Sequence, residues 1–318
     1  MATAYAPSNI TLSKYWGKSD NAINLPLNSS LSLSLGHLGT TTTVSPADQD
    51  TLVFNGKFFD VHEPFAKRVF NFIDYFRANR TLPLKVESSN SIPTATGLAS
   101  SASGFAALTL ALDKAFHLQL PESTLSIIAR IGSGSAARSL WHGFARWNRG
   151  KCADGMDSYA HHLPIEWPAL RIAIITVDTK QKSHSSRDGM NHTMATSPLF
   201  INWPAQAERD CDTIEKALRN RDFVTMGETA EANALGMHAT MLAARPTLQY
   251  LKSQSWSVLE TLWKARSEGL VAYATMDAGA NIKILYLENA EPSIKELFPS
   301  ANCIAPFSHL TANFQPEQ

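Results

Sequence analysis

Between Pro93 and Ala102 the chain reads P-T-A-T-G-L-A-S-S-A, and a run of small and apolar residues from Ser103 to Phe116 follows at once. No other segment constrains the fold as much. A glycine and two hydroxyls before an Ala/Leu-rich stretch are a loop feeding a helix that is buried on most sides. The first backbone N–H groups of such a helix lack partners and its dipole favours an anion, so the mouth is a phosphate site. Pro93, Gly97, Leu98, Ala99, Ser100 and Ser101 are therefore expected to cradle phosphate oxygens. An ordinary helix cap, in which Ser100 or Ser101 satisfies one N–H, is the competing reading.

Around this helix the order of elements is α+β rather than a regular βαβ alternation. The first quarter reads as strands. Leu31 to Leu35 alternates with period two, Gly36 to Gly39 reads as a turn, and Thr40 to Val44 is β-branched. Leu52–Phe54 and Phe58–Val61 flank Asn55-Gly56, a hairpin signal. Pro64 to Arg77 has helical spacing, and strands are expected at Leu84–Val86, Phe144–Trp147 and Ile172–Val177. Helices follow at Ala205–Asn220, Asp222–Met241 and Val258–Glu268, and the strands Ala272–Met276 and Ile282–Leu287 flank Asp277-Ala-Gly-Ala280. No linker separates halves; two lobes, 1–179 and 180–318, are expected to divide near Thr179.

Twenty-eight acidic and 28 basic residues balance, so no bulk field draws the chain to nucleic acid or an anionic membrane, and any anion must be held locally. Three scattered cysteines (Cys152, Cys211, Cys303) fit a reduced, cytoplasmic protein and exclude a disulfide framework. No signal peptide is visible, and no apolar run approaches the roughly 20 residues that span a bilayer. His161 and His162 are adjacent and would point to opposite faces of a strand, so they do not make a metal site.

Four further segments bear on chemistry. Lys14-Tyr15-Trp-Gly-Lys18 offers two point charges and a phenol around a glycine turn. Gly132-Ser133-Gly-Ser135-Ala-Ala-Arg138 places hydroxyls at a helix start with a guanidinium one turn on, a fork suited to a carboxylate. Ser183-His-Ser-Ser186-Arg187-Asp-Gly-Met190, beyond Lys180 and Lys182, again presents hydroxyls with a cation. Thr275-Met-Asp277-Ala-Gly-Ala-Asn281 sends an acid out of a strand into a small-residue turn, a place for a catalytic carboxylate or for a structural one that caps its own turn. So many anion-type loops suit a substrate bearing several phosphates together with ATP.

In these segments the chain resembles the diphosphomevalonate decarboxylases of the GHMP kinase superfamily. The matching strings are A-P-S-N-I…K-Y-W-G-K, L-P-L-N-S-S-L-S, P-T-A-T-G-L-A-S-S-A-S-G, G-S-G-S-A-A-R-S-L, H-S-S-R-D-G-M and T-M-D-A-G-A-N, running from Ala6 to Asn281. The resemblance implies a GHMP kinase fold, two lobes around one cleft, a homodimer, and the partners mevalonate 5-diphosphate, ATP and Mg²⁺. It implies that ATP phosphorylates the 3-hydroxyl, after which phosphate and carbon dioxide leave to give isopentenyl diphosphate. A mevalonate 5-phosphate decarboxylase, or a kinase that stops at the 3-phosphate, is the alternative. By the same likeness Asp277 orients or deprotonates the hydroxyl, Arg138 holds the substrate carboxylate, and Lys14 and Lys182 neutralise the transferred phosphoryl. Tyr15, Lys18, Ser133, Ser135, Ser186, Arg187 and Met190 take the 5-diphosphate side. The Pro93–Ser101 loop takes the ATP phosphates, with Ser101 near the metal and Lys67 or Arg68 reaching over the nucleotide. The chain departs from the family pattern at Ala280, where a proline is usual, at Ala137, usually cysteine, and at His142, usually glycine.

Overall fold

The computed structural model describes residues 1–78, 80–92, 100–179 and 184–308. Its elements run β1 (Ala2–Ser13), β2 (Lys18–Asp20), β3 (Leu25–Pro26), β4 (Ser30–Pro46), β5 (Thr51–Phe54), β6 (Lys57–Phe59), α1 (Pro64–Arg77), β7 (Leu84–Asn90), α2 (Ser100–Phe116) and α3 (Glu122–Gly132). After a 3₁₀ turn at Gly134–Arg138 come β8 (Phe144–Trp147), β9 (Ala160–Leu163), β10 (Leu170–Ile175), α4 (Ser186–Thr196), α5 (Trp203–Asn220) and α6 (Phe223–Leu242). The chain closes with α7 (Ser253–Ser267), β11 (Ala272–Met276), β12 (Ile282–Leu287), α8 (Glu291–Leu297) and β13 (Asn302–Ile304).

The first sheet is organised by β4, which pairs with β1 on one side and, on the other, with β7 along its second half and β8 along its first. The turn expected at Gly36–Gly39 is not a chain reversal. β4 runs through it, and the extra residues are absorbed where the β1 register jumps from Pro7↔Gly39 to Asn9↔Ser34. Gly36 takes φ +60°, which a glycine adopts without strain, and its carbonyl accepts from the Tyr5 hydroxyl at 2.8 Å. Before that bulge the period-two pattern sorts β4 by face. Leu31, Leu33 and Leu35 are fully buried in the core, each stabilising by about 1.5–3 kcal/mol relative to exposure. Ser30 and Ser34 turn the other way, to Arg138 and to the Gly143 amide.

α1 and α2 cover the far half of this sheet. Phe72 of α1 packs edge-on against Phe105 of α2, with centroids 5.2 Å apart. The second sheet, in the order β11-β12-β10-β13, is antiparallel and backed by α7 and α8. β10 pairs with β12 and β13, so the sheets divide between Leu163 and Leu170, one strand earlier than the division expected near Thr179. The two sheets share one core, which joins Ile10 and Leu12 of β1 to Ile172 of β10 and Met226 of α6. Sharing that core fixes the ends of β1 and β11 against each other.

Candidate active site

Where β1 ends and β11 ends, Lys14 meets Asp277. The Lys14 backbone is held on both sides: its N–H donates to Asn233 Oδ1 at 2.7 Å, and its carbonyl accepts from Asn28 Nδ2 at 2.8 Å. Asn233 is itself fixed by donating to Asp210 Oδ2 at 2.8 Å. The Lys14 ammonium donates to the Thr11 carbonyl at 2.5 Å and to Asp277 Oδ1 at 3.0 Å. Lys283, on β12, donates to the other carboxylate oxygen, Oδ2, at 3.0 Å. Both lysines are buried, whereas the Asp277 side chain keeps 38% of its surface exposed, toward a cleft.

The electrostatics follow from this packing. Burial pushes the Asp277 carboxyl upward, but the two ammoniums outweigh it and hold the group well below the usual carboxylate range. Burial, helped by repulsion from Lys283 and opposed by Asp277, brings Lys14 down to about 8. His238 of α6 lies 3.2 Å from the Asp277 carbonyl; burial, then Lys14, push it down to about 4, so it is neutral at pH 7 and bonds the turn as a neutral ring. Arg138 completes the group. Its Nη atoms donate to Ser30 Oγ at 2.6 Å and Thr11 Oγ1 at 3.2 Å, its Nε–H has no partner among the described residues, and it stacks over Trp147. Burial lowers its pKa to about 10.

The opposite wall is built from helix starts. Ser101 and Ala102 stand at the start of α2, Gly134 and Ser135 at the 3₁₀ turn, and Ser185 and Ser186 at the start of α4, all lining one cleft of about 400 Å³. Ser185 is the N-cap of α4 and accepts from the Asp188 amide at 3.1 Å. The Ser133 hydroxyl lies 3.4 Å from those of Ser101 and Ser135. The Tyr15 ring lies against Gly134, where a Cβ would come within 2.6 Å of it, and its buried hydroxyl has no partner among the described residues. Lys18 donates to Asn24 Oδ1 at 2.7 Å, and Asn24 is fixed by donating to the Arg130 and Ile131 carbonyls. Burial, then Arg187 and Arg68, lower Lys18 to about 8. A second, apolar pocket lined by Leu52, Phe54, Phe65, Val69 and Phe105 adjoins the start of α2.

The cleft thus brings together Lys14, Tyr15, Lys18, Ser101, Ser133, Ser135, Arg138, Ser186, Arg187, Met190 and Asp277. Ser100 lines the adjoining apolar pocket instead. Pro93, Gly97, Leu98, Ala99 and Lys182 lie outside the described residues. Of the pair Lys67 and Arg68, Arg68 lines both pockets and donates to the Gly132 carbonyl at 2.6 Å. Reading by sequence missed Asn9, Thr11, Asn24, His238 and Lys283. Lys283 carried a signal: a lone charge inside the strand I-K-I-L-Y-L, where nothing else is polar but a tyrosine, requires a buried partner.

Comparison with known proteins agrees along the whole chain. Residues 6–160 match the diphosphomevalonate decarboxylase-like N-terminal domain and residues 172–315 the mevalonate 5-diphosphate decarboxylase C-terminal domain. The diphosphomevalonate decarboxylase of Candida albicans is 37% identical over 314 residues, covering 93% of this chain and 87% of that protein. The crystal structure of mevalonate diphosphate decarboxylase from Staphylococcus aureus superposes with a TM-score of 0.89 at 35% identity, covering 96% of this chain and 95% of that one. A complex of MDDEF with MVAPP, AMPPCP and magnesium superposes with a TM-score of 0.89 at 39% identity, covering 95% of each chain.

Proposed function

This chain belongs to the diphosphomevalonate decarboxylase family, and on that footing we propose that the cleft between β1, β11 and the three helix starts is its active site. The reaction is the ATP-dependent decarboxylation of mevalonate 5-diphosphate to isopentenyl diphosphate. One observation carries the assignment to this cleft: Asp277, Arg138 and all three hydroxyl-bearing helix starts open into the same volume.

A tertiary hydroxide is a poor leaving group, and a phosphate is a good one. Asp277 orients the 3-hydroxyl of the substrate toward the nucleotide and takes its proton as the bond to phosphorus forms. Its low basicity suits a loose phosphoryl-transfer transition state, in which the proton leaves late and position matters more than base strength. Lys14, beside the carboxylate, places a positive charge where the transferred phosphoryl gains negative charge. As phosphate departs and positive charge grows on the tertiary carbon, the carboxylate's electrons collapse into the new double bond. Arg138, which lines the cleft, holds that carboxylate until it leaves.

Lys18, Tyr15, Ser133, Ser135, Ser186 and Arg187 bind the 5-diphosphate, and Met190 packs beside it. The start of α2, with Ser100, Ser101 and Arg68, takes the nucleotide phosphates, and the apolar pocket beside it suits the base. By the family likeness, Pro93, Gly97, Leu98, Ala99 and Lys182 act on the same phosphates. Among the described residues no cluster of three or more His, Cys, Asp or Glu could hold a metal. The Ser101 hydroxyl, which lines the cleft, would meet a Mg²⁺ carried by the nucleotide phosphates, and that ion would neutralise phosphate charge. Three free cysteines support a reducing, cytoplasmic setting, and the family likeness supports a homodimer.

The test is incubation of the protein with ATP, Mg²⁺ and either mono- or diphosphorylated mevalonate. Equal amounts of ADP and carbon dioxide are expected with the diphosphate alone. ADP without carbon dioxide, or a preference for the monophosphate, would overturn the reading.

A further inference from the structure

Asp277 has a second lysine that the proposed chemistry does not use. Lys283 is the second residue of β12, paired across the sheet with Thr275 of β11 on one side and Ile174 of β10 on the other. Strand alternation sends it to the same face as Thr275, whose hydroxyl donates to the Thr11 carbonyl beneath Lys14. A buried ammonium is costly unless paired, and the ion pair found for Lys283 is the one with Asp277 Oδ2 at 3.0 Å. The groups facing the Asp277 side chain and its turn are Lys14 from the end of β1, Arg138 from the 3₁₀ turn, His238 from α6 and Lys283 from β12. With His238 neutral, three cations surround one carboxylate.

We propose that Lys283 is a positioning residue of this reaction: by holding Oδ2 it fixes the Asp277 carboxylate in one orientation and one charge state, and leaves Oδ1, with Lys14, to face the substrate. The inference rests on the assignment of Asp277 above. The geometry divides the work between the two lysines. Lys14 binds Oδ1 and lines the cleft, so it can follow an incoming phosphoryl group, whereas Lys283 does not line the cleft and its ammonium is tied to Oδ2. If Lys14 swings toward the phosphoryl, Lys283 keeps the carboxylate ionised and in place. It also raises the surplus of positive charge to the level that a polyanionic substrate can neutralise.

The test compares Lys283→Met and Lys283→Arg, alone and with Asp277→Asn, by kcat, KM and pH profile, with nucleotide-analogue binding as the check on folding. Lys283→Met removes a repulsion from Lys14, whose ammonium lies near 8, so the alkaline limb of the kcat profile should move to higher pH. At pH 7 kcat should fall about 10–100-fold, the usual weight of a hydrogen bond between charged groups, with KM for either substrate nearly unchanged. Lys283→Arg should keep the alkaline limb in place and recover most of the turnover. In the Asp277→Asn background Lys283→Met should cost nothing further. A stationary alkaline limb in Lys283→Met, an alkaline limb in Lys283→Arg that shifts as in Met, or an undiminished further loss in the double variant would each overturn the role of Lys283. An Asp277→Asn enzyme that keeps most of its turnover would instead defeat the active-site reading beneath it.

Discussion

The two ends of the cleft are built on opposite plans. At the β1–β11 end nearly every polar group has its partner before any ligand arrives: Lys14 has Thr11 and Asp277, Asp277 has two lysines, and Arg138 has Ser30 and Thr11. At the helix-start end, where Lys18 bonds Asn24 and Arg68 bonds the Gly132 carbonyl, several other donors are loosely occupied. Among the described residues the buried Tyr15 hydroxyl has no partner and the hydroxyls of Ser101, Ser133 and Ser135 meet one another at 3.4 Å, and Arg187 is exposed. A pre-paired end is rigid and aimed, which is what stabilises charge that develops only in a transition state. An end of waiting donors gives its energy to a ligand already charged in the ground state. Substitutions at the first end should therefore act on kcat, and at the second on KM.

The largest break in that contrast should come from Arg138, which is pre-paired yet still has a free Nε–H. Arg138→Gln keeps a donor for Ser30 and removes the charge. Turnover should drop by about 10²–10³-fold, the scale for deleting one preorganised charge-stabilising donor. ATP affinity should hold, and carbon dioxide release should fall at least as far as ADP formation. Stopped assays that measure both products decide it. A variant with near-normal kcat and a raised KM would move Arg138 to the binding end and blur the division.

That division was only half visible in the sequence, for a physical reason. The helix starts announce themselves locally, because a glycine–serine loop before an apolar run carries its own geometry; G-S-G-S and H-S-S-R lie at or beside helix N-termini as read. The hairpin at Asn55-Gly56 and α1 were legible in the same way. At the pre-paired end Lys14 and Asp277 lie 263 positions apart, and no local pattern pairs them. Neither Asn233 nor Asp210, which together hold the Lys14 amide, belongs to a motif. β1 escaped as a strand because Pro7, Ser8 and Asn9 interrupt any clean alternation, at the register jump opposite Gly36. There the long-range pairing with β4 overrides a poor local preference.

A smaller effect, and a sharper one, belongs to Lys18. Lys18→Ala should raise KM for the diphosphate substrate by about 10–100-fold, the worth of one charge-assisted bond, and leave KM for ATP and kcat nearly alone. Because burial and the neighbouring guanidiniums bring this ammonium down to about 8, the free enzyme loses its charge as pH rises through that value. KM for the diphosphate should therefore climb above pH 8 in the unaltered protein, and that part of the rise should vanish in Lys18→Ala. Equal changes in both KM values, or a pH dependence the variant retains, would show that Lys18 is not a diphosphate ligand.

The least effect expected is at Ala280, and it asks how much rigidity the pre-paired end already has. The turn after Asp277 is tied down without the family's proline. The Ala280 carbonyl accepts from Ser255 Oγ at 2.6 Å, and Asn281 Oδ1 accepts from the Val177 and Asp178 amides at 2.8 and 2.9 Å. The Ala280 φ does not lie in the left-handed region, so a proline ring is not barred on that ground. With the native turn already fixed, Ala280→Pro acts mainly on the unfolded chain. It should stabilise by about 0.4–1 kcal/mol and raise Tm by about 1–2 °C, with kcat unchanged. Calorimetry and steady-state rates on the same preparation separate the two quantities. A clear gain in kcat would mean that Ser255 and Asn281 leave the Asp277 turn loose, and that the chemical end is less preorganised than its bonds imply.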